Sequence, residues 1–297
     1  MLEAPFMVRA FAELALLALI CGPVSVFVFA RRLSFVADAL THTVFPGVVV
    51  GFAAAGTEGI FGGALIAGVL TAVALTLLTR AGLLSDDAAT AVVLTAMFSV
   101  GVALVSRRSS YTSDLTTFLF GRILTVTPRQ LAETAVLAVV ILALVAVGAR
   151  AWIFRAFDPA GAEAAGFRTA WLDLALNLVV ALVVVAAVRA VGTVLVIALL
   201  VVPAAAARTV TDRLPAMAAV GTMLTLLAGY AGLWVSWTAS IDYGVRLTSA
   251  TAVVLILVLA YAVLLPIGRL RAGLGRAGRA ERAERAGLGR AGRGRVR

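Results

Sequence analysis

The chain has 297 residues, of which 62% are hydrophobic and only 13% are charged, and its mean hydropathy is +1.07. Soluble proteins carry about a quarter charged residues, so this composition excludes an ordinary soluble protein and predicts an all-α polytopic membrane protein. The formal net charge is +10, but ten arginines and two glutamates in 268–297 supply +8 of it. The charge is therefore confined largely to one tail and does not indicate nucleic-acid binding.

Residue types that are absent or rare limit the function further. The sequence contains no lysine, and a Walker A loop needs one at GxxxxGK[ST]. An ATP-driven role would therefore require a separate ATPase subunit. With one histidine there is no HExxH helix either, so we predict no catalytic residues and no enzyme activity. The single cysteine, Cys21, allows neither a disulfide nor a thiolate metal cluster within one chain.

Nine apolar runs are long enough to cross a bilayer, which takes about 20 residues. They fall at about 11–30, 34–54, 60–79, 88–105, 130–149, 171–189, 191–208, 214–235 and 246–266. Because the segment 106–129 is ambiguous, we predict eight or nine crossings. The first run precedes its arginine pair instead of following a basic segment, so we interpret it as a retained crossing and not a signal peptide. Arginines in the short loops predict an outside N-terminus and a cytoplasmic C-terminus.

Two segments differ from the crossing runs. Leu115–Val126 is too short to cross and contains Gly121, a pattern that suits a re-entrant or half-helix element. Residues 268–297 place arginines between small residues with no apolar periodicity, and such a segment buries no core. We therefore predict a transmembrane domain over 1–267 and a disordered, Arg-rich cytoplasmic tail over 268–297 that associates with membrane lipid.

A short helix is predicted in the inner loop between the fifth and sixth runs. Asp158 suits the N-cap, Pro159 suits the first helical position, and Gly166 suits the residue just past the end. These signals predict a two-turn helix over Pro159–Ala165 that lies outside the bilayer. From the residues alone, this helix is either a plain connector between crossings or a docking element.

The most informative stretch is Arg31–Gly47, because it places Asp38 and the only histidine, His42, inside an apolar run. Ionisable groups within a crossing are expensive and indicate a functional site. Residues four apart share a helix face, and Asp38 lies about 10 Å deeper than Arg31 along the helix. Pro46 and Gly47 follow directly and are expected to kink or break the helix.

An imidazole and a carboxylate on one face form half of a site for Mn²⁺, Fe²⁺ or Zn²⁺. Two ligands are too few for a structural site, but a low ligand count suits a path from which the ion must also leave. A symmetric dimer would supply the pair twice. Two alternatives need the same residues: hydrogen bonds of Asp38 and His42 with each other or with Thr41 and Thr43, and a proton relay.

Other polar or kink-forming residues within the runs give weaker signals. Asn177 and Ser99 favour helix packing, and Pro203 predicts a kink next to a small-residue contact face. Asp173 lies close enough to the end of its run to be interfacial.

The motifs together resemble those of the ABC-3 permeases, the membrane subunits of zinc, manganese and iron importers. Residues 37–47, ADALTHTVFPG, resemble the family's Gly-Asp-Ala-x-Ser-His-x-x-x-Pro-Gly signature, with Ala37 in place of glycine and Thr41 in place of serine. Three further segments agree in order: LFGRIL at 119–124, Phe157-Asp158 followed by Gly166, and VG…LLVVPAAAA over 191–207.

The resemblance implies a type II-like ABC importer permease that works by alternating access. It implies a homodimer with a cytoplasmic ATPase, an extracellular metal-binding solute-binding protein and no permanently bound cofactor. Asp38 and His42 would be the metal ligands, supported by Thr41, Pro46 and Gly47, and the ATPase-coupling loop would comprise Phe157, Asp158, Pro159 and Gly166. Alternatives are a siderophore- or cobalamin-type permease, which needs no such ionisable pair, and an ion-gradient-driven metal or proton-coupled carrier. The choice among zinc, manganese and iron stays open.

Overall fold

The structure is a computed structural model that describes residues 4–82, 84–106, 121–244, 247–266 and 268. These ranges form α-helices joined by short connections and contain no strand, which confirms the predicted all-α class. Two short 3₁₀ turns span Gly56–Glu58 and Ile123–Thr125. The α-helices are α1 (Pro5–Ala30), α2 (Ser34–Thr43), α3 (Phe45–Ala55), α4 (Gly59–Arg80), α5 (Asp86–Ser106), α6 (Pro128–Phe157), α7 (Pro159–Ala164), α8 (Thr169–Val210), α9 (Leu214–Asp242) and α10 (Ser249–Pro266).

Within the described residues, seven helical runs are long and apolar enough to cross a membrane. Two of them exceed one crossing, since Ser34–Arg80 has 47 residues and Thr169–Val210 has 42. At 1.5 Å per residue, an unbroken helix of either length would measure about 60 to 70 Å, twice the roughly 30 Å hydrocarbon core. Each run therefore contains two crossings, and the bundle has nine within these ranges, at the upper end of the prediction.

The first long run reverses direction between α3 and α4, where Gly56 has a φ of 63°. Beyond the turn the two helices pack closely side by side, with Gly47 against Gly63 and Gly51 against Gly59. Glycines four apart on both helices let the two backbones approach each other directly, as small residues do at membrane helix interfaces. α3 and α4 are thus an antiparallel pair of crossing segments.

The second long run breaks at Gly192, whose φ of 77° and ψ of 166° lie outside the helical region. Only glycine adopts this backbone conformation readily. Gly121, which has a φ of 69°, packs its backbone directly against the break, and Arg122 donates a backbone hydrogen bond of 3.0 Å to the Ala190 carbonyl. The described part of the predicted re-entrant segment therefore packs against α8 at its break. Residues 115–120 of that segment lie outside the described ranges.

The contacts of α8 show that the chain turns back at this break. Before it, Asp173 pairs with Arg31 at the end of α1. After it, Ala207 packs in one cluster with Val26, near the same end of α1. Between the two, Arg189 pairs with the beginning of α6, at the opposite end of the bundle. We refer to these two ends as the Asp173 end and the Glu133 end, after the acidic residues that anchor them.

α1 and α8 form the centre of the bundle. They pack on each other, α1 also packs against α6 and α9, and α8 also packs against α2, α4 and α6. α5 lies at the periphery, where it contacts mainly α2 and α3. The functional stretch of the sequence, on α2 and α3, is therefore held between the central helix α8 and the outer helix α5. The predicted disorder of the tail concerns residues of which all but Gly268 lie outside the described ranges.

Candidate functional site

The helix that carries the Asp/His pair is interrupted just beyond it. α2 ends at Thr43 and α3 begins at Phe45, with Val44 between them and Pro46 in the first turn of α3. Proline has no N–H to donate and its ring crowds the preceding turn. The interruption therefore falls within two residues of His42. Gly47, one residue further on, lies directly against the backbone of α4.

Asp38 and His42 point to the same side of α2, and both are half-buried. The distance from His42 Nε2 to Asp38 Oδ1 is 3.7 Å, and the exposed fractions of the two side chains are 29% and 38%, respectively. The imidazole also meets the ring of Phe98 on α5 at an angle of 83°, with 6.0 Å between the ring centroids. The ring of Phe98 therefore lies against the imidazole, and both side chains of the pair keep part of their surface exposed.

Hydrogen bonding within the chain does not account for the pair. A separation of 3.7 Å is too long for a hydrogen bond. The hydroxyl groups of Thr41 and Thr43 donate to the carbonyl oxygens of Asp38 and Leu40 on their own helix, at 2.7 and 3.3 Å, and not to the Asp38 carboxylate. Within the described residues, the imidazole nitrogen and the carboxylate oxygens are thus left available to a ligand.

The face of α2 next to the pair, about 100° round the helix, is packed tightly into the bundle. Ala37 and Thr41 are four residues apart and are both fully buried. These are the positions where the family signature has glycine and serine, so this chain fills them with slightly larger side chains that are still small enough for close packing. The buried face fixes the rotation of α2 and thereby turns Asp38 and His42 outward.

One chain supplies only part of a metal site. Among the described residues, no group of three or more histidine, cysteine, aspartate or glutamate side chains is arranged to hold a metal ion. A transition metal in a protein usually has four or more ligands. The pair therefore functions as a metal site only if a second copy of the chain, water or another molecule completes the coordination.

The predicted short helix in the loop after α6 is confirmed as α7, which ends one residue earlier than expected, at Ala164. Asp158 caps it, because Asp158 Oδ1 accepts a hydrogen bond of 2.8 Å from the Gly161 N–H. The other end is closed by backbone bonds from Gly166 to Glu163 and from Phe167 to Ala162, which form a Schellman motif around the left-handed Gly166. Both ends of this six-residue helix are thus fixed by the sequence.

Large aromatic side chains are exposed around α7. Phe157 ends α6 with 70% of its surface exposed, and Trp171, in the first turn of α8, is 63% exposed. Phe167 is also exposed, and its ring lies edge-on to Phe154 at 5.9 Å. A capped helix bordered by exposed aromatic rings has the properties of a docking surface. The residues of the predicted coupling loop lie at the Asp173 end, because Arg155, just before α7, pairs with Asp173. They are separate from Asp38 and His42.

The structure also shows a buried acidic residue that the sequence analysis did not single out. Glu13 on α1 is fully buried and accepts a hydrogen bond of 2.8 Å from Thr134 on α6, while its second oxygen has no hydrogen-bond partner among the described residues. Next to Thr134, Glu133 pairs with Arg189 and Arg129. Applying the rule for ionisable groups in crossings to Glu13 would have found it, since it lies in the first apolar run.

Asp173, expected to be interfacial, lies near the beginning of α8 and contacts two arginines. Asn177, one turn further, donates a hydrogen bond of 3.1 Å to Thr76 on α4, as expected for a packing residue. The partners of Asp173 come from distant parts of the chain, and nothing in the local sequence indicates them.

A bundle of nine crossings, with a half-buried ionisable pair in one of them and a capped helix at one end, defines a membrane permease. The sequence matches the ABC 3 transport family over residues 3–264, so the chain belongs to that family. It is accordingly the permease subunit of an ABC transporter.

Two relatives and one solved structure show the extent of the similarity. The manganese transport system membrane protein MntC of Halalkalibacterium halodurans is 32% identical over 236 residues, which are 80% of each chain. The manganese import system permease protein ScaB of Streptococcus parasanguinis is 30% identical, over 82% of this chain and 87% of its own. The structure of PsaBC from Streptococcus pneumoniae in complex with Fab contains a chain that is 26% identical in sequence to this one and superposes on it with a TM-score of 0.76. The match covers 88% of this chain and 91% of that chain.

Proposed function

We propose that this chain is the permease of an ATP-driven importer for a divalent transition metal, and that Asp38 and His42 hold the ion as it crosses. The observation that carries this proposal is the geometry of the pair inside a crossing. Its imidazole and carboxylate, groups of the kinds that bind metals, are 3.7 Å apart and half-exposed, and no hydrogen bond from the described part of the chain competes for them. The polar atoms of such groups in a membrane normally pair with other groups or serve an ion path.

Manganese is the ion that we propose first. The donors are one nitrogen and one oxygen from each chain, without a thiolate, and such a mixed set accepts Mn²⁺, Fe²⁺ and Zn²⁺ alike. The chemistry of the pair therefore leaves the choice open, and we propose manganese because MntC and ScaB are both named for manganese. Zinc and iron are the competing substrates that an uptake measurement must include.

The half-site supports a homodimer, in which two copies of the chain supply two aspartates and two histidines around one path. Four ligands satisfy a transition metal, yet the ion is shared between two mobile subunits and can leave. We therefore expect one transported ion to bind for every two chains. Equilibrium dialysis of the purified permease with Mn²⁺ would measure this ratio.

The distribution of arginines supports an orientation with the Asp173 end in the cytoplasm. Arg31, Arg80 and Arg155 line one cavity at this end, and Arg208 follows close to Ala207 there. Cytoplasmic loops carry the excess of basic residues in membrane proteins. α1 then begins outside and α10 ends inside, so that the ATPase meets α7 in the cytoplasm and a solute-binding protein delivers the metal at the Glu133 end.

In this scheme the chain moves the ion by alternating access. ATP binding and hydrolysis in the partner change the spacing of the two ATPase subunits, and α7 transmits the movement to the crossings. The Asp38 and His42 pairs are then exposed first to the Glu133 end and next to the Asp173 end. A kink at Val44, between the pair and α3, gives α2 a natural point of bending.

The test is uptake by vesicles that contain the permease with its ATPase and its solute-binding protein. We expect ⁵⁴Mn²⁺ to accumulate only when ATP is present on the ATPase side, with zinc and iron measured in parallel. Uptake that needs an ion gradient but no ATP would instead establish a gradient-driven carrier. Uptake of a metal chelate without uptake of free metal would establish a siderophore-type permease.

The capping of α7 gives a prediction for the coupling step. Replacing Asp158 with alanine removes the acceptor for the Gly161 N–H, at a cost of about 1 kcal/mol, and a helix of six residues has little other stability. We expect uptake to fall about fivefold with unchanged insertion of the permease in the membrane. Asp158→Asn keeps a capping oxygen without the charge and serves as the matched control; equal losses in both variants would contradict a capping role.

A further inference from the structure

The carboxylate of Asp173 joins three crossings at the cytoplasmic end. Arg31 donates to Asp173 Oδ1 at 2.8 Å, and Arg155 approaches Asp173 Oδ2 at 3.4 Å. The exposed fraction of the Asp173 side chain is 24%, and that of each arginine is 18%. Ion pairs that are this far removed from water are screened less than surface pairs. A change of one partner therefore alters the electrostatic interactions of the other two.

The two arginines lie just before α2 and α7, the two helices that the proposed function uses. Arg31 follows the last residue of α1 and precedes α2, the helix with Asp38 and His42, by three residues. Arg155 lies in the last turn of α6, three residues before the N-cap of α7. Asp173 on α8 therefore connects the beginning of the metal-binding helix to the beginning of the coupling helix.

α7 has a second contact with the same part of α8. The hydroxyl group of Thr169, the first residue of α8, donates a hydrogen bond of 3.3 Å to Glu163 on α7. Thr169 lies four residues before Asp173, one helical turn away. A displacement of α7 therefore reaches Asp173 by two routes, through the end of α6 and through the first turn of α8.

A cavity of about 270 Å³ borders this cluster. The residues that line it include Leu33 and Val36, at the beginning of α2, as well as Arg31, Arg155 and Asp173. Protein interiors are otherwise close-packed and transmit strain without yielding. The cavity thus gives the first turn of α2 room to shift relative to α8 while the rest of the helix is held by packing.

The arginines depend on Asp173 within the described part of the chain. Nη1 of Arg31 and Nε of Arg155 are buried and have no hydrogen-bond partner there. Without this carboxylate, both arginines would lose the ion partner that they share among the described residues, and the beginning of α2 would no longer be tied to the end of α6.

From this arrangement we infer that Asp173 is a positioning residue that transmits the movement of α7 to the metal-binding helix α2. This inference rests on the proposed function, since it concerns the path from the ATPase to the Asp38 and His42 site. Asp173 does not touch the ion. It sets the position of α2 relative to α6 and α8, so its loss should uncouple ATP hydrolysis from transport without preventing either the binding of metal or the hydrolysis of ATP.

The experiment measures the number of Mn²⁺ ions transported for each ATP hydrolysed, in vesicles that contain the complete importer. The variants are Asp173→Asn, Arg31→Gln and Arg155→Gln, each normalised to the amount of permease inserted. The matched control is Asp212→Asn, which breaks the exposed ion pair of Asp212 with Arg208 at 2.9 Å, at the same end of the bundle. Such exposed pairs contribute little.

We expect the transport ratio of Asp173→Asn to fall at least tenfold while its ATPase rate stays within about twofold of the wild type, and Asp173→Glu to restore part of the ratio. A ratio for Asp173→Asn that equals the wild-type ratio would overturn the inference. Failure of all three cluster variants to insert would also overturn it, because the cluster would then serve folding and not coupling. If the wild-type vesicles transport no divalent metal, the proposed function itself fails.

Discussion

The variant His42→Ala is expected to insert in the membrane normally and to lose metal uptake by about 100-fold or more. Removal of an outer partner of a metal ligand already lowers metal affinity by 10- to 100-fold, and His42 is proposed as a ligand itself. The imidazole is half-exposed and makes no hydrogen bond to the described residues, so its truncation leaves the packing of α2 intact. Uptake of ⁵⁴Mn²⁺ per inserted permease measures the effect.

The matched control for His42→Ala is Ser99→Ala, a polar residue on α5 directly after Phe98, the aromatic neighbour of the imidazole. It should retain uptake within about twofold, because surface substitutions away from special features change little. Asp38→Ala should lose as much uptake as His42→Ala, and the double variant no more than either, since residues that act as one unit are not additive. Normal accumulation of metal by His42→Ala would remove the pair from the proposed path.

The crossings could be predicted because the bilayer permits so few structures. A spanning segment must satisfy its own backbone polar groups, so an apolar run of sufficient length becomes a helix whatever its neighbours are. The boundary between the runs 171–189 and 191–208 falls within two residues of Gly192, where the structure breaks α8. The same holds for α7, whose capping signals are local and act within six residues.

The contacts between crossings could not be predicted in this way. Asp173 and Arg31 are separated by 142 positions in the sequence, and Glu13 and Thr134 by 121. A crossing has apolar residues on all its faces, because lipid and neighbouring helices both accept apolar side chains. Its hydrophobic periodicity is therefore weak. The sequence therefore indicates that a polar residue in a run has a role, without indicating which helix it meets.

The Asp/His pair could be predicted from the sequence only in part. Its spacing predicts a shared face of α2, and the structure places both groups on that face. The availability of the pair depends, however, on Thr41 and Thr43 bonding to their own helix instead of to Asp38. Both patterns are compatible with the sequence, and the rotation of α2 imposed by its buried face selects between them. The number of ligands in the complete site is a property of the assembly and not of one chain.

The close contact of α3 with α4 positions the pair, because α3 begins three residues after His42 and its first turns rest on α4. A side chain at Gly63 would overlap the backbone of Gly47, whereas the adjacent Gly62 is exposed with nothing within 4 Å of an added Cβ. The two glycines have the same sequence surroundings and differ in the face of α4 on which they lie. Their substitution by valine therefore separates the effect of helix contact from that of helix propensity.

Gly63→Val is expected to force α3 and α4 apart, since backbone atoms cannot move aside as a flexible side chain can. Overpacking costs about 1–3 kcal/mol where side chains can adjust, and contact with backbone sets the cost here at the upper end or above. We expect a clearly lower unfolding temperature in detergent, followed by intrinsic tryptophan fluorescence, and uptake at least tenfold lower, while Gly62→Val stays close to the wild type in both. Equal unfolding temperatures for Gly63→Val and Gly62→Val would show that the α3–α4 contact does not hold α2 in place.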